Sequence, residues 1–225
     1  MSKKRLSKSI DLITLTNPTS PIAEQYRTIR TNLQYSTSLN EQLKTLVVTS
    51  AGPSEGKSKT ASNLAVVFAK SGSKVLLIDA DMRKPTLFKK FNLFNTTGLS
   101  TVLNSEKSLD SAVKQTDIEN LFVLTSGPRP ENPSELLDSA KMSQLIEEAR
   151  DQYDMVIFDL PPIVVVTDAQ ILASKVDGSL LVVREKVTKK DALVKAYELL
   201  NLVGAQVVGA VYNGVHQSSS QTYYY

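Results

Sequence analysis

The chain has 225 residues, of which 41% are apolar, and this is enough for one large domain with a sizeable core. The net charge of +3 is too small to indicate nucleic acid, and the lack of cysteine excludes disulfides and a thiolate nucleophile. The basic N-terminus is no signal peptide, and no stretch reaches about 18 consecutive apolar residues. We therefore expect a soluble, cytoplasmic protein that reaches a membrane only through a partner or a weak basic patch.

The N-terminal region predicts one helix that precedes the first strand. Ser20 is a suitable N-cap, and Pro21 suits the first helical position. A narrow apolar stripe follows at helical spacing, formed by Ile22, Tyr26, Ile29 and Leu33. The remaining surface of this helix carries a mixed-charge face, which on its own is usually just solvated. Its residues are Glu24, Arg27 and Arg30.

Six short runs rich in Val, Ile and Leu predict strands. Each run is continuous rather than alternating, which is typical of strands buried on both faces of a parallel sheet. Helical stretches between them predict a three-layer α/β fold, with helices on both faces of a mostly parallel sheet and ligands bound beyond the carboxyl ends of the strands. The predicted strands are 45–50, 74–80, 120–127, 154–162, 178–185 and 205–214. The predicted helices are 57–71, 134–150 and 189–203.

A phosphate-binding loop is predicted after the first strand, at AGPSEGKS, residues 51–58. The template GxxxxGK[ST] is met at Gly56, Lys57 and Ser58, although its first position is Ala51. Backbone N–H groups at a helix N-terminus hold phosphates, Lys57 would reach the β- and γ-phosphates, and Ser58 would offer a hydroxyl to Mg²⁺. The residues predicted to bind nucleotide here are Gly52, Pro53, Ser54, Glu55, Gly56, Lys57, Ser58 and Lys59.

Carboxylates end two further strands at the same predicted edge. Asp79 and Asp81 follow VLLI, with Arg83 just beyond, and Asp159 follows MVIF. Mg²⁺ beside a phosphate loop is held by one or two carboxylates together with phosphate and water. Because alternate strand residues point to opposite sides, we expect only one of Asp79 and Asp81 to face the metal directly.

The nucleotide is expected to be ATP, because no Asn-Lys-x-Asp motif for reading guanine is present. Asn213, at the end of the last predicted strand, has two readings that the sequence leaves open. It could contact the base, or it could be a turn residue before Gly214. His216 is the only histidine, and we interpret it as incidental.

Taken together, these motifs resemble the bacterial tyrosine kinases (BY-kinases) of capsule and exopolysaccharide operons, in the cytoplasmic Gram-positive CpsD/CapB form. The resemblance covers about residues 20–215 and the tail. Its motifs are AGPSEGKS as Walker A, IDADMR (78–83) as Walker A′, FDLPP (158–162) as Walker B, EQYRTIR (24–30) as the Glu-x-x-Arg-x-x-Arg oligomerisation motif, the recurrent stretch ENPSELL (131–137) and the clustered terminal tyrosines.

Two departures from the BY-kinase pattern are present. Three adjacent tyrosines stand where relatives space more of them with glycine, and Leu160 stands where a small or hydroxyl residue is common. The related MinD/ParA-type ATPases have an additional lysine where this chain has Gly52. That difference argues against a partitioning ATPase.

The resemblance implies transfer of the ATP γ-phosphoryl group to tyrosine hydroxyls. It implies Lys57, Asp79 and Asp81 as catalytic residues and Ser58, Asp79 and Asp159 around Mg²⁺. Asp79 is the candidate acceptor of the tyrosine proton and Asp81 is the alternative. Arg83 could stabilise charge on the transferring group, or it could be an ordinary surface arginine.

The resemblance also implies partners. Glu24, Arg27 and Arg30 would form a subunit contact that builds a ring, and a membrane adaptor or co-polymerase would activate the kinase at the inner face of the membrane. A cognate tyrosine phosphatase is expected, and nucleic acid is not.

The domain division follows from these motifs. Residues 1–19 are expected to form a flexible arm, residues 20–215 the kinase domain and residues 216–225 a flexible tail. The acceptors in that tail would be Tyr223, Tyr224 and Tyr225. An ATPase switch of the MinD/ParA type and a scaffold of the export machinery remain as alternatives.

Overall fold

A seven-stranded sheet forms the centre of the protein, in the order β3-β4-β2-β5-β1-β6-β7. The structure is a computed structural model that describes residues 12–35, 43–105 and 107–215. All neighbouring strands are parallel except β3, which pairs antiparallel with β4. The strands are β1 (Thr45–Ser50), β2 (Val75–Asp79), β3 (Lys114–Gln115), β4 (Leu121–Leu124), β5 (Met155–Asp159), β6 (Gly178–Arg184) and β7 (Val207–Asn213).

Helices cover both faces of the sheet, so the expected three-layer α/β fold is confirmed. Helices α1–α4 pack on one face and α5–α10 on the other. They are α1 (Ile13–Thr16), α2 (Pro21–Tyr35), α3 (Lys57–Lys70), α4 (Leu87–Lys90), α5 (Leu99–Asn104), α6 (Leu109–Ala112), α7 (Pro133–Asp138), α8 (Ala140–Gln152), α9 (Asp168–Ala173) and α10 (Lys190–Leu202). Within the described residues, none of these helices has the length and apolar character needed to cross a bilayer.

Two hydrophobic cores explain why the strand sequences are continuous apolar runs. In β1, Leu46 and Val48 enter the core beneath α1–α4, while Val47 enters the core beneath α5–α10. All three side chains are fully buried. A strand covered on both faces needs apolar residues at every position, since each full burial contributes about 1.5–3 kcal/mol.

The N-terminal boundary differs from the expected arm of residues 1–19. Leu12 is fully buried, and α1 packs against α3. The N–H and the hydroxyl of Thr14 both donate to Asn63 Oδ1, at 3.2 Å and 2.9 Å, and Lys70 Nζ donates to the Thr14 carbonyl at 3.0 Å. The packed domain therefore includes residues 12–19, and residues 1–11 lie outside the described residues.

Helix α2 begins as predicted, but its buried face is shifted. Ser20 Oγ caps the helix by accepting from the N–H of Ala23 at 3.2 Å. Ile22 is 53% exposed, whereas Ala23, Tyr26 and Leu33 are buried. Ala23 contributes little to an apolar pattern, so the sequence placed Ile22 on the stripe instead.

The predicted helix 134–150 is two helices. Ser139 between α7 and α8 is extended, with ψ of 155°, and its side chain caps α8 by accepting from Met142 N. The short elements α1, α4, α5, α6, α9 and β3 were not predicted, since two to six residues hardly establish a period. The last strand is parallel, as expected, and its carboxyl end reaches the predicted phosphate loop.

Candidate active site

The predicted phosphate loop connects β1 to α3, and Asn213 at the end of β7 packs against it. Gly56 has φ of +100°, a conformation that L side chains rarely adopt. A Cβ atom at Gly56 would lie 2.1 Å from Asn213 Nδ2. This position therefore requires glycine for its backbone angle and for the space that the β7 residue occupies.

Two side chains from neighbouring strands cap the carbonyls of this loop. Arg184 Nη1, at the end of β6, donates to the Ser54 carbonyl at 2.7 Å, and Asn213 Nδ2 donates to the Glu55 carbonyl at 3.2 Å. Because C=O and N–H of a trans peptide point in opposite directions, the N–H groups of Glu55 and Gly56 are left facing away from these caps. Asn213 thus contacts the loop backbone, a role outside the two readings that the sequence left open.

The residues predicted to bind nucleotide differ in how far they are exposed to solvent. Lys57 Nζ lies 3.6 Å from Asp81 Oδ2, so the lysine has a carboxylate neighbour. Lys59, Pro53 and Ser54 are exposed. Glu55 is only 3% exposed, and its Oε2 has no hydrogen-bond partner in the described part of the chain. The loop therefore contains a buried carboxyl group, and Lys57 follows it at the start of α3.

Asp159 is the most isolated carboxylate of the site. It ends β5 with zero exposure, and neither of its oxygens finds a hydrogen-bond partner among residues 12–35, 43–105 and 107–215. Burial raises its pKa to about 6, although the nearby Lys57 ammonium and Ser58 hydroxyl act in the opposite direction. Ser58 is thus close enough to lower the pKa of Asp159, although the two side chains do not form a hydrogen bond of ordinary geometry.

Asp79 and Asp81 occupy different environments. Asp79 is opposite Asp159 in the register of β2 and β5, and its Oδ2 accepts from the N–H groups of Thr86 and Leu87 at 3.0 Å and 2.9 Å. Burial, followed by the charge of Asp159, raises the Asp79 pKa well above its usual value. Asp81 instead faces Lys57. One acid therefore braces the loop after β2, while the other is directed at the phosphate loop.

These residues fit a magnesium ion that arrives with a nucleotide. Within the described chain there is no group of three His, Cys, Asp or Glu that could hold a metal by itself. Mg²⁺ requires oxygen ligands and usually takes one or two carboxylates, with phosphates and waters completing the octahedron. The unpartnered oxygens of Asp159 beside Ser58 suit that role.

Arg83 is neither a surface arginine nor fully available to a phosphoryl group. Its Nε and Nη2 atoms donate to the two oxygens of Asp168, each at 2.9 Å, and Nη2 also donates to Ser134 Oγ at 2.9 Å. Asp168 is fully buried. The sequence did not identify Asp168, Ser134 or Arg184, although ENPSELL contains Ser134 and Arg184 lies within the predicted strand 178–185.

The residues predicted for subunit contact lie on α2, apart from the phosphate loop. Arg27 and the exposed Glu24 form an ion pair of 2.6 Å within the helix. Arg30 does not simply project to solvent, since its Nη1 donates to the Val67 carbonyl of α3 at 3.2 Å. The acceptors Tyr223, Tyr224 and Tyr225, and His216, lie outside the described residues.

Known proteins resemble this chain over nearly all of its length. Residues 43–204 match the family described as AAA domain. The tyrosine-protein kinase YwqD of Bacillus subtilis is 51% identical over 215 residues, which are 96% of this chain and 90% of YwqD. CapB of Staphylococcus aureus is 41% identical over 225 residues, which are 100% of this chain and 98% of CapB.

Solved structures agree with these relatives. The chimerical protein CapA2B2 superposes with a TM-score of 0.86 at 41% identity, covering 89% of this chain and 88% of the other. MinD of Pyrococcus horikoshii, solved with Mg-ADP, has a TM-score of 0.64 at 21% identity, covering 75% of this chain and 69% of the other, and shows the fold alone. The expected relation to MinD-type ATPases is confirmed at the level of fold.

A phosphate loop with Lys57 at its helix start, acids at the ends of β2 and β5, and the full-length similarity to YwqD and CapB lead to one assignment. The chain belongs to the bacterial tyrosine-protein kinases, in the group that includes the Gram-positive enzymes YwqD and CapB.

Proposed function

We propose that this kinase uses ATP and Mg²⁺ to phosphorylate Tyr223, Tyr224 and Tyr225 of its own tail and thereby regulates capsular or exopolysaccharide synthesis and export. The observation that carries the proposal is the contact between Asn213 and the Glu55 carbonyl, at 3.2 Å. Because β7 ends on the phosphate loop, residues 216–225 follow directly from the phosphate-binding edge. Ten residues reach at most about 35 Å, enough to enter an adjacent subunit's site.

Lys57 and the loop N–H groups would hold the β- and γ-phosphates, which leaves the γ-phosphoryl group facing the strand-end acids. Phosphoryl transfer depends mainly on positioning and charge neutralisation. Ser58 and Asp159, with Asp79 or Asp81, would hold Mg²⁺, which supplies charge neutralisation when bound. Lys57 Nζ lies 3.6 Å from Asp81 Oδ2, which supports the proposal that both side chains lie beside the bound phosphates.

Asp79 is the proposed acceptor of the tyrosine proton, with Asp81 as the alternative. Tyrosine has a pKa of about 10 and arrives protonated at neutral pH, so a nearby carboxylate is useful. Burial raises the pKa of Asp79, which makes it a better proton acceptor than an exposed carboxylate. Its Oδ1 also has no partner in the described part of the protein.

The proposed assembly is a ring in which each tail enters the neighbouring site, with α2 at the subunit contact. Glu24 and Arg27 are placed on the outside of the helix, which supports that contact. A membrane adaptor would activate the ring at the inner face of the membrane, and a phosphatase would reset it. The chimeric CapA2B2 among the similar structures supports a partner of the adaptor kind.

Intact mass after incubation with ATP and Mg²⁺, with an adaptor segment supplied, tests the proposal. We expect steps of about 80 Da per phosphate, absent when Tyr223–Tyr225 are replaced by Phe and absent in Lys57→Met. Mass steps that survive the Phe replacements would show that the tail is not the substrate. Phosphate release without any mass gain would instead favour an ATPase switch of the MinD type.

A mixing experiment tests whether transfer occurs between subunits. Lys57→Met with an intact tail is combined with an active chain whose three tail tyrosines are Phe. Phosphate on the Lys57→Met chain, which has no activity of its own, is expected. If that chain stays unmodified in mixed oligomers while the wild type modifies itself, transfer occurs within one subunit.

Phosphorylation should also loosen the proposed ring. Each phosphotyrosine adds about −1.5 to −2 charge at pH 7, and three adjacent ones would be repelled by the buried acids of the neighbouring site. We expect a smaller particle after phosphorylation in size measurement. An unchanged oligomer with fully phosphorylated Tyr223–Tyr225 would overturn this part.

A further inference from the structure

Arg83, Asp168 and Ser134, which together we call the Arg83 clasp, join three loops at the carboxyl edge of the sheet. Arg83 lies in the turn after β2, Ser134 in the first turn of α7 after β4, and Asp168 begins α9 after β5. These strands are neighbours, in the order β4-β2-β5. The clasp therefore ties together the loops that leave three adjacent strands.

The contacts of the clasp are specific in geometry. Arg83 binds both oxygens of Asp168 at 2.9 Å, and Ser134 Oγ donates to Asp168 Oδ1 at 2.7 Å while accepting from Arg83 Nη2. A two-point arginine–carboxylate contact fixes the orientation of both groups, which a lysine cannot reproduce. Two of the three guanidinium nitrogens are engaged in this way.

The turn that the clasp holds also contains Asp81. Asp81 Oδ1 accepts from the N–H of Lys84 at 2.9 Å, and its Oδ2 lies 3.6 Å from Lys57 Nζ. At the start of α4, Asp79 holds the other end of the same loop through Thr86 and Leu87. Asp79 and Asp81 thus fix the loop through hydrogen bonds within it, and Arg83 ties it to Asp168 and Ser134 in two other loops.

We infer that Arg83 is a positioning residue of the kinase, which acts with Asp168 and Ser134 by holding Asp81 against Lys57. This role is separate from the question of which tyrosines receive phosphate. It rests on the proposed role of Asp81 at the phosphates. It also gives the ENPSELL stretch a function, since Ser134 in that stretch bonds both partners.

The test compares clasp variants with a matched pair at the other end of the sheet. Arg83→Lys, Ser134→Ala and Asp168→Asn are made beside Arg150→Lys, which breaks the similar Arg150–Asp177 ion pair far from the phosphate loop. Initial rates of phosphotyrosine formation are measured against ATP concentration, below the melting temperature of every variant. Thermal melting is recorded for each protein.

A positioning role predicts that the clasp variants share one kinetic defect. We expect kcat to fall about tenfold or more in Arg83→Lys and Asp168→Asn and less in Ser134→Ala, with KM for ATP changing within about threefold. Arg150→Lys should lower the melting temperature with kcat within about twofold of wild type. The Arg83→Lys/Asp168→Asn double variant should lose little more than either single variant, because both break the same contact.

Three results would overturn the inference. Wild-type kcat in folded clasp variants would leave the clasp a purely structural contact. A large loss in Arg83→Lys alongside normal Asp168→Asn would mean that Arg83 touches the reacting groups itself. Normal kcat in Asp81→Asn would remove the residue through which Arg83 is inferred to act. The assay counts phosphotyrosine on any residue, so these results do not require Tyr223–Tyr225 to be the acceptors, a question that the Phe replacements decide separately. Should Asp168→Asn fail to fold, Arg83→Lys and Ser134→Ala still decide the question.

Discussion

Asp159 and Asp177 are carboxylates at opposite ends of the same sheet, and they differ in the hydrogen bonds that the chain gives them. Asp159 ends β5 with both oxygens buried and unpartnered within the described chain, and its pKa is raised to about 6 by burial. Asp177 precedes β6, where it accepts from the N–H groups of Lys44 and Thr45, at 3.0 Å and 2.8 Å, and pairs with Arg150.

The difference separates binding from stability. Burial alone would raise the pKa of Asp177, but the hydrogen bonds from Arg150, Thr45 and Lys44 outweigh it and leave the pKa lowered. A carboxylate with all of its partners supplied by the chain stabilises the fold. A carboxylate whose partners are missing costs stability until a ligand supplies them. We therefore interpret the surroundings of Asp159 as suited to a ligand and those of Asp177 as suited to the stability of the fold.

The largest expected effect is that of Asp159→Asn. Phosphotyrosine formation should fall by about 10²–10³-fold, because the variant loses charge at the proposed metal position. The free energy of unfolding without nucleotide should stay the same or rise, because a buried carboxylate whose oxygens have no hydrogen-bond partner in the described chain is removed. Kinase assays and urea unfolding check both parts. Loss of activity together with loss of stability would contradict the comparison.

Gly56→Ala tests the closed space of the phosphate loop. Its Cβ would lie 2.1 Å from Asn213 Nδ2, so ATP affinity should weaken by about tenfold or more, as measured by calorimetry. The control is Gly72→Ala, since Gly72 has a similar φ of +95° but, its two chain neighbours apart, no atom of the described residues lies within 4 Å of its Cβ position. Gly72→Ala should lose only stability, about 1–2 kcal/mol. Equal ATP affinities in the two variants would show that the contact with Asn213 is unimportant.

Asp177→Asn should reverse the pattern of Asp159→Asn. We expect a loss of about 1–2 kcal/mol in unfolding free energy near neutral pH, discounted because the group is partly exposed, with normal kinase activity. Since the pKa of Asp177 is lowered in the folded protein, its contribution is present above the unfolded pKa of about 3.9. The gap between wild type and variant should therefore close as the pH falls below about 4. A gap that is independent of pH would exclude an ionic origin.

The smallest effects are expected on α2, away from both edges. Arg30→Ala should cost about 1 kcal/mol of unfolding free energy, because Arg30 donates to the Val67 carbonyl. Arg27→Ala should stay within about 0.5 kcal/mol, because its ion pair with Glu24 and its hydrogen bond to the Pro18 carbonyl are both exposed. Thermal melting measures the stability of each variant, and sedimentation measures whether its oligomer is weakened. If both variants weaken the oligomer equally while only Arg30→Ala loses stability, Arg30 serves the fold and the proposed contact together.

Local patterns explain what the sequence could predict. Lys57 at a helix start and Asp159 at a strand end follow from short stretches of chain, and parallel strands bring such ends to one edge. The Arg83 clasp could not be predicted, because its three residues come from separate loops and meet only when the strand order is known. Arg30 was misplaced for a simpler reason. The phase of α2 depends on Ala23, a residue too small to mark a face.

Strand β7 is the last strand of the sheet and, among the strands that the structure describes, it pairs only with β6. Its side chains are mostly half-buried or exposed, unlike those of the central strands. Pulling on Asn213 would therefore load the ladder with β6 and the caps on the phosphate loop, together with Val207, Val208 and Val211, which pack against the two cores. Such an arrangement would carry a load on the end of β7 directly to the proposed phosphate-binding loop.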